Sequence, residues 1–272
     1  MGVKLFDRVG RRVRLTSEGE DLLDRSRRLL ADAASLGERA RALKSGETGI
    51  LRVGAAPQAI ESQIVDFLAQ YRRRHAGVEV HLVEDTGARM PHRLDRGDVQ
   101  LAIMPAGEQR FRGRLLGPNY LLALLPKAHR LRRRAVLDVM ELLDEPLLLP
   151  SRGFASREWF NAACQVAHVR PRVLFESSTP HTLIALAASG YGVAVLPTGV
   201  LIPREKVCPV PLVYGGAPIG RWRIIGWDPE RFLAPYAEWF VDELVAFSRH
   251  HYPNRDIIRR APPLPRPSGL LD

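Results

Sequence analysis

Ile50-Leu51-Arg52-Val53-Gly54 reads as a short apolar strand, and Ala55-Ala56-Pro57-Gln58 behind it as a turn. From Ile60 the period lengthens. Ile60, Ile64, Phe67, Leu68 and Tyr71 share one helical stripe, while Gln63, Gln70 and Arg72 to Arg74 point elsewhere. Gly77 ends that helix, and Val78, Val80 and Leu82 alternate as a second strand. The pattern from Leu51 to Asp85 predicts a strand–helix–strand unit, two parallel strands with a crossover helix on one face. Ligands of such sheets bind beyond the carboxyl ends of the strands, so the turn at Ala56 to Gln58 is the first candidate binding site.

Toward the N-terminus, Leu5 to Arg8 and Arg12 to Leu15 flank Val9-Gly10-Arg11, which predicts a small hairpin with arginines fanned from its tip. Ser17 precedes Glu20 by three, a capping-box pattern that starts a helix. Along it, Leu22, Ser26, Leu29, Ala33, Leu36, Ala40 and Leu43 recur at alternating steps of four and three, a coiled-coil seam. At about 1.5 Å per residue the helix is roughly 40 Å long. A helix of that length has little to bury alone. The regular seam argues for a partner helix, most simply from a second copy; the alternative is a helix lying on its own chain. Ser45-Gly46-Glu47-Thr48-Gly49 closes the helix and acts as a linker.

In the other direction, Arg89 to Gly97 is expected as a short helix and Val99, Leu101 and Ile103 as a third strand. Residues 106–114 are polar and irregular, and Tyr120 to Leu125 is a fourth apolar run stopped by Pro126. The basic cluster Lys127 to Arg134 reads as a solvated loop in preference to a nucleic-acid site. Pro146 to Pro150 is a buried-strand run, followed by the turn Ser151-Arg152-Gly153-Phe154, a helix over 157–167 and a strand through Val173 and Phe175. Ser177-Ser178-Thr179 offers a cap for the helix from Pro180 to Ser189, and Val193 to Pro197 is another buried strand. Residues 120–200 thus repeat the grammar of residues 50–105, which predicts two α/β lobes. Trp222 to Trp227 is a late strand and Pro235 to Phe247 an amphipathic helix. From His250 onward, with prolines at 262, 263, 265 and 267, no periodicity remains and a disordered basic tail is expected.

The net charge of +10 over 272 residues is unevenly placed. Lys4, Arg8, Arg11, Arg12 and Arg14 stand against Asp7 alone in residues 1–15, and five arginines stand against Asp256 and Asp272 in residues 249–272. A basic end suggests a polyanion partner there, on an otherwise ordinary soluble body. No run of eighteen apolar residues spans a membrane, and the first residues lack the apolar core of a secretory signal. Cys164 and Cys208 make no disulfide framework, which favours a cytoplasmic setting. There is no Gly-x-Ser-x-Gly elbow, phosphate loop or Cys-x-x-Cys, and Gly190-x-Gly192 precedes a strand, the wrong order for a dinucleotide site. His250-His251 reads as a surface pair. An enzyme, a metal site and a bound cofactor are therefore not expected.

Taken together, these motifs resemble the LysR-type transcriptional regulators over about residues 2–248. Gly2 to Arg8, Val13-Arg14-Leu15-Thr16 and Gly19 look like the end of the family's winged helix-turn-helix, and the long helix looks like its dimerising linker. Arg52-Val53-Gly54, Phe67 to Tyr71, Gly77-Val78-Glu79-Val80, Leu94 to Val99 and Gly190 to Pro197 resemble its effector domain. The resemblance implies a two-lobed α/β effector domain like a periplasmic binding protein, preceded by a long coiled-coil linker helix and a remnant wing. The implied division is wing 1–16, dimerising helix 17–45, first lobe 50–118 with 219–248, second lobe 119–218, and tail 249–272.

It implies, further, a regulator that senses a small, anionic metabolite, a carboxylate above all, between the lobes. Contacts carried over by position are Pro57, Gln58, Thr86 and Gly87 from the first lobe, and Ser151, Arg152, Phe154, Ser178 and Thr179 from the second. Backbone N–H groups at those turns and helix starts would hold the anion, with Arg152 as a charged donor. Dimerisation would use Leu22, Leu29, Ala33, Leu36, Ala40 and Leu43, giving a dimer or tetramer. Two departures stand out. Family members carry Ser or Thr near the place of Gln58, and the family's N-terminal helices, recognition helix included, have no counterpart in this sequence. The expectation is a truncated regulator or a misassigned gene start, with Arg8, Arg11, Arg12 and Arg14 touching the phosphates of double-stranded DNA but no sequence-specific readout. Two alternatives remain. A solute-binding protein of transport calls for a secretory signal and no dimerising helix, the reverse of what is seen. A truncated partner would form mixed dimers with an intact regulator through residues 17–44.

Overall fold

The computed structural model describes residues 2–9, 12–45 and 48–267, without the side chains of residues 9, 39 and 41–45. Arg11 and the Leu43 side chain lie outside it. Strands β1 (Phe6–Val9) and β2 (Arg12–Leu15) pair antiparallel with Phe6 opposite Leu15, the expected hairpin. Helix α1 (Ser17–Ser45) follows. Its cap is Thr16, whose Oγ1 accepts the Gly19 N–H at 2.9 Å and donates to the Lys4 carbonyl at 2.7 Å. Ser17, the expected cap, donates instead to Glu18. The cap moves back one residue because the Thr16 N–H is tied to the Leu5 carbonyl, which holds Thr16 against the hairpin. A Cβ at Gly19 would run into that same Leu5 oxygen, so hairpin and helix pack backbone to backbone.

The two faces of α1 divide. Its polar side rests on the body through Arg28–Asp95 at 3.7 Å, Asp32–Arg231 at 3.3 Å and Glu38–Arg52 at 3.6 Å, with Gln100 Nε2 donating to Glu38 at 2.6 Å. Gly97, at φ +70°, lets Ala31 approach the body. The seam side is left open, with Leu29 69% and Leu36 68% exposed.

Strands β3 (Gly49–Ala55) and β4 (Val78–Glu84) run parallel with Gly49 opposite Val78, joined by helix α2 over residues 57–74. Ala56 is extended and Pro57 opens the helix. Ile60–Ile64 is wound one residue wide, the Val65 N–H reaching back to the Ile60 carbonyl. Ile64, Phe67 and Tyr71 are buried on the expected stripe. The wide turn also swings Gln63 inward, against the outward position that a regular period predicts; it is buried and hydrogen-bonded to Ser248.

The remaining elements are α3 (Met90–Asp95), β5 (Leu101–Pro105), β6 (Arg112–Pro126), β7 (Leu137–Asp138), β8 (Leu147–Pro150), α4 (Ala155–Val166), β9 (Val173–Ser177), α5 (Pro180–Ala188), β10 (Val193–Pro197), β11 (Val207–Tyr214), β12 (Ala217–Pro218), β13 (Gly220–Trp227), α6 (Pro235–His251) and α7 (Arg255–Ile258). Their sheet order is β4-β3-β5-β13-β6-β10-β8-β9, with β11 also on β6. Strand β6 serves both lobes: residues 112–120 pair with β13, and residues 121–126 with β10 and β11. One core gathers Leu51, Val53, Phe67, Tyr71 and Phe240, where Phe67 and Phe240 meet edge to face at 4.9 Å. Another gathers Leu121, Leu149, Phe160 and Val195. Strand β11 escapes a sequence reading because Pro209 and Pro211 interrupt it; two residues apart, they put both missing donors on one edge.

The tail departs most from expectation. Helix α6 runs on to His251, α7 follows, and Tyr252, Ile257 and Leu264 are buried. Asn254, in the left-handed region at φ +55°, donates to the carbonyls of Thr198 and Val200 at 2.8 Å each. The Leu264 N–H donates to the Tyr120 hydroxyl at 3.2 Å. Residues 249–267 are therefore a packed segment and not a disordered one. Lack of periodicity excludes long helices and strands; it does not exclude anchoring by a few well-spaced apolar side chains.

Candidate functional site in the cleft between the lobes

Three kinds of element converge where β6 changes partners. The first lobe contributes the turn after β3, with Ala56, Gln58 and Ala59, and the end of β5, with Ile103, Met104 and Pro105. The second contributes the start of α4, with Phe154, Ala155, Ser156 and Trp159. The crossing segments add Asn119, Pro197, Gly199, Trp222 and Arg223. The lobes touch across this cleft. The Ser62 hydroxyl donates to the Gly199 carbonyl at 2.8 Å, and His181 meets Glu61 at 3.1 Å.

The walls are mostly apolar, and the polar groups among them are unevenly satisfied. Asn119 Oδ1 accepts from the Gly199 N–H at 2.9 Å and the Thr198 hydroxyl at 3.1 Å. Gln58 Oε1, Thr86 Oγ1 and Ser156 Oγ are buried with no hydrogen-bond partner. Buried polar atoms are nearly always paired, so three orphans around one cleft mark it as built for something polar. Arg223 is 5% exposed, donates to Gln63 Oε1 at 3.3 Å and lies over the Tyr252 ring at 5.1 Å. Burial pushes the Tyr252 phenol up, against the opposing pull of Arg223 beside it.

The mouth has another character. Pro57, Gln58, Thr86, Phe154, Ser178 and Thr179 line it together with Glu61, Glu84 and Asp85. Asp85 accepts the Thr86 N–H at 2.8 Å and is paired with Arg93 at 2.9 Å. Glu84 has no ion-pair partner among the described residues.

Residues 44–249 match the family model of the LysR substrate binding domain. The chain belongs to the LysR family of transcriptional regulators. Among its relatives is the HTH-type transcriptional regulator TtuA of Agrobacterium vitis, 31% identical over 202 residues, 72% of this chain and 66% of that protein. Full-length OxyR from Pseudomonas aeruginosa shares the fold with a TM-score of 0.66 at 23% identity, over 92% of this chain and 84% of that one. The regulatory domain of Synechocystis PCC6803 CcmR, in complex with 2-PG, does so with a TM-score of 0.67 at 20% identity, over 75% and 99% respectively.

Within this LysR-family chain, most of the expected contact residues do meet. Gln58, Gly87 and Phe154 line the inner cleft, and Pro57, Thr86, Ser178 and Thr179 its mouth. Ser151 and Arg152 line neither: the Ser151 N–H donates to the Ser177 carbonyl as part of the sheet, and Arg152 is exposed. The Ser177-Ser178-Thr179 cap is also rearranged. Ser177 Oγ accepts the Thr179 N–H at 3.1 Å, while Thr179 at the N-cap makes no side-chain cap bond. Sequence reasoning missed Asn119, Ser156, Trp159, Trp222 and Arg223. One signal was present, a basic residue inside the apolar run Trp222-Arg223-Ile224-Ile225, where β-sheet burial leaves a charge no route to water. On the hairpin, Arg8, Arg12 and Arg14 are exposed; on α1, Leu22 is half-buried and Leu29, Ala33, Leu36 and Ala40 are exposed. No helix among the described residues is long and apolar enough to cross a membrane.

Proposed function

We propose that this regulator works by binding, not catalysis, in the cytoplasm, and that its ligand is a small carboxylate taken up between the lobes. The observation that carries the reading is the set of unpartnered buried groups around one interlobe cleft, the Thr86 and Ser156 hydroxyls free to donate to a carboxylate and Gln58 Oε1 free to accept from an N–H or O–H of the same ligand. The CcmR regulatory domain, similar in fold, is in complex with 2-PG, which supports a small-molecule ligand. The open leucine seam of α1 supports pairing with a second copy, since an apolar stripe of that length gains most from a like helix. Arg8, Arg12 and Arg14 then sit at the ends of the paired helices, where they contact DNA phosphates. Closure of the lobes on the ligand shifts the subunit arrangement only as far as the ligand prefers the closed form over the open one.

The test is a thermal unfolding series of the full chain with 2-PG and a panel of small carboxylates. A true effector at a hundredfold excess over its Kd adds about 2.7 kcal/mol, a shift of roughly 5 to 10 °C for a domain of this size. The shift is expected to vanish in a Gln58→Leu, Ser156→Val double variant. A panel of carboxylates that moves nothing, beside neutral analogues that do, overturns the anionic assignment.

A further inference from the structure

We propose that the effector's carboxylate docks on Arg223 at the floor of the cleft, and that Tyr252, at the head of the C-terminal segment, positions that guanidinium. The proposal rests on the cleft being the effector site. It moves the anion away from the turns and helix starts to which family resemblance assigns it.

Arg157 and Arg223 are the arginines classed as buried among the described residues, and they differ in what surrounds them. Arg157 is fully matched: it donates to Asn161 Oδ1 at 2.9 Å, to the Pro150 carbonyl at 2.9 Å and to Glu176 at 2.8 Å. Arg223 has Gln63, the Tyr252 ring and hydroxyl, and no carboxylate at ion-pair distance among the described residues. A guanidinium withdrawn from water with its charge uncompensated is unfavourable unless an anion completes it. Its planar fork matches a carboxylate, and here it faces the same cavity as the orphaned Ser156 hydroxyl.

The mouth argues the same way by exclusion. Two of the three helix starts there, at Pro57 and Pro180, begin with a residue that has no N–H to offer an anion. Glu61, Glu84 and Asp85 stand around them. Glu61 and Asp85 are answered by His181 and Arg93, but Glu84 has no ion-pair partner among the described residues, so an anion at the mouth meets an unpaired acid where one at the floor meets the Arg223 guanidinium. The ligand is thus oriented: carboxylate inward on Arg223 and Ser156, apolar body between Trp159 and Trp222, outer end toward Gln58.

Tyr252 enters because the floor is completed from outside the residues that match the family model, which end at 249. Its ring lies against Gly117, where any Cβ would strike it, and its hydroxyl donates to the Gly117 carbonyl at 3.3 Å. That fixes the ring as the platform on which Arg223 lies.

The experiment uses the full chain and intrinsic fluorescence, since Trp159 and Trp222 flank the cavity. The probes are benzoate and its uncharged counterpart benzamide. Wild type is expected to give a saturable response to benzoate at roughly tenfold or more lower concentration than to benzamide. Arg223→Gln is expected to remove that preference, leaving benzamide binding as it was; Arg223→Lys restores part of it. Tyr252→Leu is expected to weaken benzoate several-fold while leaving benzamide unchanged, a charge-specific loss that mere loss of packing would not produce, and Tyr252→Phe, which keeps the ring under Arg223, is expected to keep the preference. Should Arg223→Gln fail to fold by circular dichroism, the Lys and Tyr252 variants carry the comparison. Benzoate binding that survives Arg223→Gln but is lost on Trp159→Ala overturns the proposal and leaves the cleft as the site. Binding indifferent to both substitutions overturns the functional reading as well. No saturable response to benzoate overturns the proposal, and the thermal series then judges the cleft on its own.

Discussion

At the scale of single residues, burial decides chemistry more than residue type does. Cys164 and Cys208 look alike in the sequence, but Cys164 lies on the buried face of α4, in one core with Phe160 and Leu149, and burial pushes its thiol up to about 11 despite the nearby Arg157. At pH 7.5 that leaves roughly three thiolates in ten thousand. In the native chain, Cys164 is therefore expected to stay unmodified by a disulfide reagent over the time in which a free thiol reacts fully, and to become reactive only in urea. Rapid modification of Cys164 without unfolding would show that the α4 packing is wrong. The same contrast separates Arg157 from Arg223: one buried cation is answered by Glu176, the other by no acid among the described residues. Neither difference is visible in a list of residue types.

At the scale of elements, α1 shows two faces with different jobs. Arg28, Asp32 and Glu38 sit on the first lobe through Asp95, Arg231, Arg52 and Gln100, and Leu29, Leu30 and Leu36 face solvent. The sequence alternatives of a partner helix and a helix on its own body are thus not exclusive. Leu29→Glu with Leu36→Glu places like charges along the seam and is expected to reduce the assembly, read by light scattering, to a smaller species. The unfolding midpoint of the lobes should hardly move, because exposed positions contribute within about 0.5 kcal/mol each. An unchanged mass would mean that copies associate through another surface. The contacts to the first lobe are partly exposed ion pairs, worth about 0 to 1 kcal/mol each.

At the scale of the whole molecule, the lobes are joined by β6, by the segment around Thr198 and Gly199, and by the tail that Asn254 clips to that segment. Stability is expected to respond to alkali in one direction. Tyr71, Tyr120 and Tyr252 are raised by burial above the ordinary 10.0, and Cys164 above 9.0. Each holds its proton more tightly folded than unfolded. Their contribution is whole below those ordinary values and is lost as pH rises past them. Urea midpoints should therefore begin to fall near pH 9 and fall further above pH 10, and in a chain whose exposed Tyr191 and half-buried Tyr214 are replaced by Phe, phenolate absorbance should appear together with unfolding. Phenolate absorbance that rises well before unfolding would contradict the burial of Tyr71 and Tyr252.

Periodicity carried the strand–helix–strand core, the hairpin, the seam of α1 and the repeat of α/β grammar from the sequence alone, because each depends on neighbours a few residues apart. It also pointed to the turn at Ala56 to Gln58, since turns after strands fall at one end of a sheet, whereas Thr86, Gly87, Phe154, Ser178 and Thr179 came from the family resemblance alone. Tertiary structure alone decided the rest. Gln63 turns inward only because one helical turn is wound wide. Residues 252–267 order only because Tyr252, Ile257 and Leu264 find sites in cores built by distant elements. Arg223 and Ser156 line one cavity only where the two lobes face each other, more than sixty residues apart in the chain. Local sequence sets which backbone forms are favourable; which side chains lose water together depends on contacts between distant segments, and that is what makes the floor of this cleft.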